Sequence, residues 1–235
     1  MLAHLRFSRY VIIVVRPTGE NKLIPLYLLQ VLYRNGHAAD PNMNWVACLR
    51  AMRTELNQMG YDQIPELSSS RMIDVNKPMH IVPPNSHGRR RAILIGINYT
   101  GQQGQLVRQE RKCLVGFFFS HKQHTLVQSG CHNDVGNIQK YLMEVQGFNE
   151  SEMLILMDDN RHHPPTRRNI EDAFARMCQY SQAGDVVFVH YSGHGSRVRD
   201  HSGDEDDGYD STLIPVDFKH AGQILDDDGT CSCFV

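Results

Sequence analysis

The stretch Asp185-Val-Val-Phe-Val-His-Tyr-Ser-Gly-His-Gly195 holds the residues best suited to chemistry. Val186 to Val189 reads as a buried β-strand that passes into a glycine-flanked turn carrying His194. Glycine accepts unusual φ/ψ and close backbone approach, so such a turn can present an imidazole at the lip of a sheet. A histidine there suits general acid–base work, and the Gly195 N–H suits an oxyanion hole. This is the histidine half of a Cys/His hydrolase, and no cysteine half is obvious before Val235. His190 gives a His-x-x-x-His spacing with His194, which holds zinc when both rings share one helix face. A strand and glycines intervene, so His190 reads as a packed strand histidine. A second cluster, Asp204, Glu205, Asp206, Asp207 and Asp210 followed by Asp226-Asp-Asp228, offers hard oxygen ligands of the kind that suit Ca²⁺. The same residues could equally form a solvated acidic loop.

Positioning such groups needs a sheet. Ala92-Ile-Leu-Ile-Gly-Ile97 is a continuous apolar run, as in a parallel strand covered on both faces. From about Asn133, the residues Val135, Ile138, Leu142 and Val145 form one helical stripe that Gly147 closes. Met153-Leu-Ile-Leu-Met157 is a second buried strand. Thr166 can N-cap a helix with Ile170, Ala173, Phe174, Met177 and Cys178 on its apolar face, ending near Gly184. Strand–helix–strand–helix–strand predicts an α/β fold with a mainly parallel sheet, whose ligands bind at the carboxyl ends of the strands. His194 lies at that end. Residues 1–88 are heterogeneous, with possible helices at 26–34 and 43–59, and end in Pro83-Pro-Asn-Ser-His-Gly88.

Composition narrows the class. Hydrophobic content of 41% and charged content of 21% describe a soluble globular chain. A net charge of −2 gives no reason to expect a nucleic-acid partner. No apolar run approaches the roughly 18 residues of a membrane span, so no membrane partner is expected. The six cysteines are irregularly spaced and read as reduced thiols, which makes the cytoplasm the default location. Residues 1–19 lack acids, and Arg6, Arg9 and Arg16 surround an apolar run, a weak alternative as an organelle-targeting peptide.

Taken in order, Ile97-Asn98-Tyr99, Gly130-Cys131-His132-Asn133-Asp134, Leu156-Met-Asp-Asp159, Pro165-Thr166, His190-Tyr-Ser-Gly-His-Gly195, Gly203 to Asp210, Pro215-Val-Asp-Phe218 and Ile224-Leu-Asp-Asp-Asp228 resemble the catalytic region of a type I-like metacaspase. The resemblance covers roughly 89–228. It implies a caspase-like three-layer sandwich at 89–235, incomplete at its C-terminus, behind a prodomain-like segment at 1–88. It implies a cysteine endopeptidase acting on peptides and proteins after Arg or Lys, dependent on Ca²⁺ when complete. His194 would be its general base and acid. Asp134 would line the primary specificity pocket, although a carboxylate in the first turn of a helix can simply favour the helix dipole. Asp210, Asp226 and Asp227 would bind calcium, with a further ligand beyond Val235.

Two departures from the family pattern stand out. The family nucleophile lies in an Asp-Ser/Cys-Cys-His-Ser-Gly string after a further strand, and no such string occurs here. Cys231 and Cys233 follow Asp226-Asp-Asp228 too closely for the intervening elements. Cys131 is the remaining candidate nucleophile, at a position after the first strand where a helix N-terminus would lower its pKa; the competing reading is a secondary, non-catalytic cysteine. The chain by itself is therefore expected to be nearly inactive, or to serve as a non-catalytic caspase-like module that associates with a full-length homologue. Residues 107–128 separate Leu106 from Ser129-Gly130-Cys131, where the family has almost no gap. Intron readthrough would account for this insert and for the 229–235 tail, and a genuine surface loop is the alternative for the insert.

Overall fold

The computed structural model describes residues 33–34, 37–38, 42–58, 64–65, 67, 72–106, 130–199 and 209–225. A two-stranded ladder of β1 (Tyr33–Arg34) and β2 (His37–Ala38) precedes helix α1 (Trp45–Gln58). The expected helix at 43–59 is therefore present. Of the expected helix at 26–34 only residues 33–34 are described, and they form a strand. The insert at 107–128 and the acidic residues 204–207 and 226–228 lie outside the described residues.

The core is a parallel sheet of β3 (Arg90–Gly96), β4 (Met153–Met157) and β5 (Val186–Ser192), in the order β4-β3-β5. Its registers run unbroken from Ala92↔Met153 to Gly96↔Met157 and from Arg90↔Val186 to Gly96↔Ser192. The central strand obeys the prediction of two covered faces, with Ile93, Leu94 and Ile95 fully buried. β4 is half-buried over its first three residues, because it lies at the side of this sheet.

The two faces are covered by helices of matching pattern. Leu94 and Ala92 pack with Val135, Ile138 and Leu142 of α2 (Cys131–Glu144) and with Cys48, Met52 and Leu56 of α1. The 88/89 boundary therefore runs through one shared core. On the opposite face, Ile93 and Ile95 pack with Ile170, Ala173, Phe174 and Met177 of α3 (Arg167–Tyr180). The result is the parallel α/β sheet that the strand–helix order predicts, covered by helices on both faces as the family resemblance implies. Thr166 caps α3 as expected, accepting the Asn169 N–H at 3.2 Å. α3 ends at Tyr180 rather than near Gly184. Gly147 follows α2 with φ +64, a conformation glycine adopts without a Cβ penalty. α2 begins at Cys131, two residues before the expected start. Neither Cys48 nor Cys131 forms a disulfide, whereas Cys178 is disulfide-bonded, against the expectation of uniformly reduced cysteines.

After β5 the chain turns into an antiparallel sheet of β6 (Gly195–Arg199), β7 (Tyr209–Leu213) and β8 (Ile224–Leu225), with the short helix α4 (Phe218–Ala221) before β8. Arg167 ties this part to α3. Its backbone N–H donates to Asp217 Oδ1 at 2.9 Å, and its guanidinium donates to the carbonyls of Ala221 and Gln223 at 3.1 and 2.8 Å. Among the described residues no helix is long and apolar enough to cross a membrane.

The amino ends of the strands carry the charges that lock the sheet. Buried Arg91 pairs with Asp185 and with Glu152 at 3.1 Å, while Asp185 also accepts the backbone N–H of Arg89 and of Gln182 at 2.8 and 3.0 Å. Burial opposes ionisation of Asp185. The Gln182 N–H, the Arg91 guanidinium and the Arg89 N–H outweigh it and hold the carboxyl below its ordinary range. A depressed carboxylate contributes stability above its unfolded pKa and loses it as pH falls through the folded value. Asp185→Asn is therefore expected to cost about 3 kcal/mol at pH 7, a deficit that closes on acidification. Urea denaturation at pH 7 and at about pH 2, below the depressed folded value, measures it.

Candidate active site

The carboxyl ends of β3, β4 and β5 bring together Asn98 and Tyr99, Asp158, and His194 with Ser192. The N-terminus of α2, with Cys131, His132 and Asp134, docks on the same edge. The docking is close because residue 96 is glycine: a Cβ there would sit 2.8 Å from both the Cys131 carbonyl oxygen and Val135 Cγ2. Asn98 fixes the helix start, its Oδ1 accepting the Cys131 N–H at 2.9 Å. Asn98 and Thr100 in turn donate their backbone N–H groups to the two oxygens of Asp158, at 2.8 and 3.1 Å. The His132 ring meets the same carboxylate at 2.6 Å. Burial opposes the charge on Asp158, but the His132 ring and the Asn98 and Thr100 N–H groups hold its carboxyl below the ordinary range.

His194 sits where β5 hands over to β6. Its Nε2 lies 2.6 Å from the carbonyl oxygen of Gly104, in the loop after β3. A carbonyl can only accept, so in the neutral ring the proton is on Nε2 and Nδ1 is the basic nitrogen. The Gly104 carbonyl also faces a charge that forms when Nδ1 takes up a proton. The loop presenting it is built on positive φ at Tyr99, Gly101 and Gly104, and closes with Leu106 N–H to Asn98 O at 2.8 Å. Gln102 anchors it to the Val216 carbonyl at 2.8 Å. The Tyr99 ring lies against the imidazole, with centroids 4.5 Å apart. Gly195 opens β6 opposite Leu213.

Cys131 is the first residue of α2 and is 3% exposed. Burial pushes the hydroxyls of Tyr99 and Tyr191 above the ordinary tyrosine range, and the nearby Cys131 thiol adds to the rise at both. Cys48 lies in the core beneath α1, where burial pushes its thiol up to about 11 and makes it inert. His190 is a packed strand histidine, as read from the sequence. It is buried, its Nε2 has no hydrogen-bond partner among the described residues, and burial pulls its pKa down to about 4. Among the described residues no three His, Cys, Asp or Glu side chains cluster as a metal site would require. Asp210 lies on β7 opposite Val198, while Asp226 and Asp227 fall outside the described residues.

Asp134 is 4% exposed and accepts the Ser192 hydroxyl at 2.7 Å. Burial pushes its carboxyl up to about 7, against the lowering effect of that hydrogen bond. Three partners of this edge were not legible beforehand: the Gly104 carbonyl, the His132–Asp158 pair and the two tyrosines. Asn98, Tyr99, His132, Asp158 and Tyr191 had a signal only as letters in the ordered motifs.

The raised value makes Asp134 a liability for the fold. A carboxyl ionised in the unfolded chain from about pH 4 but neutral in the folded one until about 7 reduces stability across that window. Asp134→Asn keeps the acceptor for Ser192 and removes the charge. It is expected to raise the melting temperature at pH 8 by roughly 4 °C or more, with no gain near pH 4, as differential scanning calorimetry can measure.

Comparison with known proteins accords with this edge. Residues 90–231, more than half of the 235, match the family described as Metacaspase, peptidase C14 domain. Metacaspase III c of Phaeodactylum tricornutum is 41% identical over 202 residues, covering 86% of this chain and 54% of that protein. Metacaspase-1A of Neurospora crassa is 42% identical over 145 residues, covering 61% of this chain and 27% of its own. Metacaspase-1 of Sclerotinia sclerotiorum is 35% identical over 192 residues, covering 73% and 39%. The chain thus spans about half the length of the first relative and less of the others. A solved protein, GSU0716 from Geobacter sulfurreducens, overlaps 59% of this chain and 42% of its own at 26% identity and a TM-score of 0.38, too distant to bear on the fold. The family match runs through β3, α2, β4, α3 and β5 and takes in every residue that builds this edge: the chain belongs to the metacaspase family of peptidase C14 domains.

Proposed function

We propose that this chain carries the acid–base and specificity half of a cysteine endopeptidase site that cleaves after Arg or Lys. The observation that carries the reading is His194 at the carboxyl edge, its Nε2 held by the Gly104 carbonyl so that Nδ1 is the basic nitrogen of the neutral ring. Nδ1 would take the proton of a cysteine thiol, and the thiolate would attack the scissile carbonyl. The same nitrogen would return the proton to the leaving amine, after which water hydrolyses the thioester. The Gly195 N–H, one residue on, would face the developing oxyanion.

Asp134 supports the choice of substrate. A buried carboxylate with one hydroxyl partner gains most from a cation that reaches it, and Arg or Lys supplies one. Calcium is part of the proposal through Asp210, Asp226 and Asp227. β8 ends at Leu225, immediately before Asp226 in the sequence, and pairs with the β7 strand that carries Asp210. Carboxylate oxygens are the donor type Ca²⁺ prefers, and the ion would fix these chain segments against each other.

The identity of the nucleophile decides how active these residues are alone. Cys131 is the cysteine at this edge among the described residues, yet at 3% exposure it is poorly placed to meet a substrate. That burial favours a second reading, a caspase-like module that binds arginyl peptides or an intact family member with little turnover.

Hydrolysis of arginyl, lysyl and aspartyl peptide amides separates these readings. The expected result is slow cleavage of the Arg and Lys substrates only, reduced at least ~100-fold by His194→Gln and stimulated by Ca²⁺. Cleavage that survives His194→Gln, or that prefers Asp, contradicts the peptidase reading; tight peptide binding without turnover supports the second. Added Ca²⁺ should also raise the melting temperature of the wild type but not of Asp210→Ala, a readout independent of turnover.

A further inference from the structure

We infer that Tyr99 and Tyr191 are positioning residues for His194, acting as a paired wedge at the end of the β6–β7 ladder. The register of that ladder pairs Gly195 with Leu213, so the next pair in line would be His194 with Ile214. Direct closure there would draw His194 into the strand. Two phenol hydroxyls stand in the way instead, each relaying one of the bonds. The His194 N–H donates to Tyr99 Oη at 3.0 Å, and Tyr99 Oη donates to the Ile214 carbonyl at 2.6 Å. In the opposite sense, the Ile214 N–H donates to Tyr191 Oη at 3.2 Å, and Tyr191 Oη donates to the His194 carbonyl at 2.6 Å. One direct bond, Ile214 N–H to His194 O, remains at a long 3.3 Å. The peptide groups of His194 are thus gripped on both sides while the ring is kept out of the ladder.

Two further features point to a function for the wedge beyond packing. Tyr99 holds φ +54, a conformation that a bulky non-glycine residue adopts only when its surroundings impose it. The strain puts its hydroxyl under His194 N–H and its ring against the imidazole. Residue 193 must also be glycine, because a Cβ there would lie 2.6 Å from Tyr191 Oη. The Tyr-Ser-Gly-His string is therefore one device, in which Gly193 makes room for the hydroxyl that fixes His194. This role rests on the reading of His194 as the general base.

The test is the tautomer and amide exchange of His194 in ¹⁵N-histidine-labelled chain, assigned by the signal lost in His194→Gln. In the wild type a single Nε2–H tautomer is expected. Tyr99→Phe and Tyr191→Phe should each introduce the Nδ1–H tautomer, and Tyr99→Phe should speed exchange of the His194 amide by about tenfold, the loss of one hydrogen bond. Tyr141→Phe is the control: its hydroxyl accepts from Gln146 at 2.8 Å, and the residue packs in the core on the sheet face opposite that of Tyr99. A wild-type Nδ1–H tautomer overturns the inference even if no variant folds. So does an unchanged His194 in both folded variants, or an equal change in Tyr141→Phe. If the tyrosine variants shift His194 as expected but hydrolysis ignores His194→Gln, the wedge stands and the peptidase reading falls.

Discussion

Hydrogen bonding of β3 on both sides is the constraint from which the site follows. With β4 and β5 both parallel to it and in unbroken register, all three carboxyl ends emerge on one edge. Asn98 and Tyr99, Asp158, and Ser192 with His194 all lie at or within three residues of the end of a strand that cannot slide without moving the others. Strand register has a period of two, so a slip of one residue would turn Ser192 away from Asp134. Gly96 then lets the start of α2 close onto the edge, bringing Cys131 and Asp134 to Asn98 and Ser192, 33 and 58 residues distant in sequence.

The two ends of the same sheet are built on opposite electrostatic terms. At the amino ends, Arg91, Asp185 and Glu152 satisfy one another, and Asp185 ionises more readily than a free carboxyl. At the carboxyl ends, Asp134 is buried with a single hydroxyl partner and resists ionisation, and His190 is buried and neutral. A charge that is costly to hold without a partner is what a cationic substrate can exploit.

Much of this was legible because it depends on local pattern. Ile93 to Ile95 announce a covered strand, Thr166 a helix cap, and Gly193-His-Gly195 an imidazole at the lip of the sheet. The start of α2 was missed by two residues because its N-cap is Gly130, which offers no side-chain cap for a reader to see. The partner of His194 is a backbone carbonyl, and Gly104 has no side chain to announce it. His132 and Asp158 are unremarkable letters 26 positions apart until the fold joins them. The tyrosine pair was hidden for a different reason. Each residue looks like an ordinary core aromatic, and only the register of a later ladder shows that their hydroxyls occupy the place of a missing strand pair.

Binding of paired peptides tests most directly whether Asp134 and His194 form one substrate site, because it does not depend on turnover. A blocked peptide ending in arginine and its citrulline counterpart differ by one charge and little shape. Calorimetry at pH 8 should find the arginyl peptide bound at least about tenfold more tightly, the scale of one charge-assisted hydrogen bond. The preference should vanish in Asp134→Asn, and the bound peptide should perturb the His194 ring signals. Equal affinity for both peptides in the wild type would contradict the assignment of this edge as an Arg/Lys-directed site.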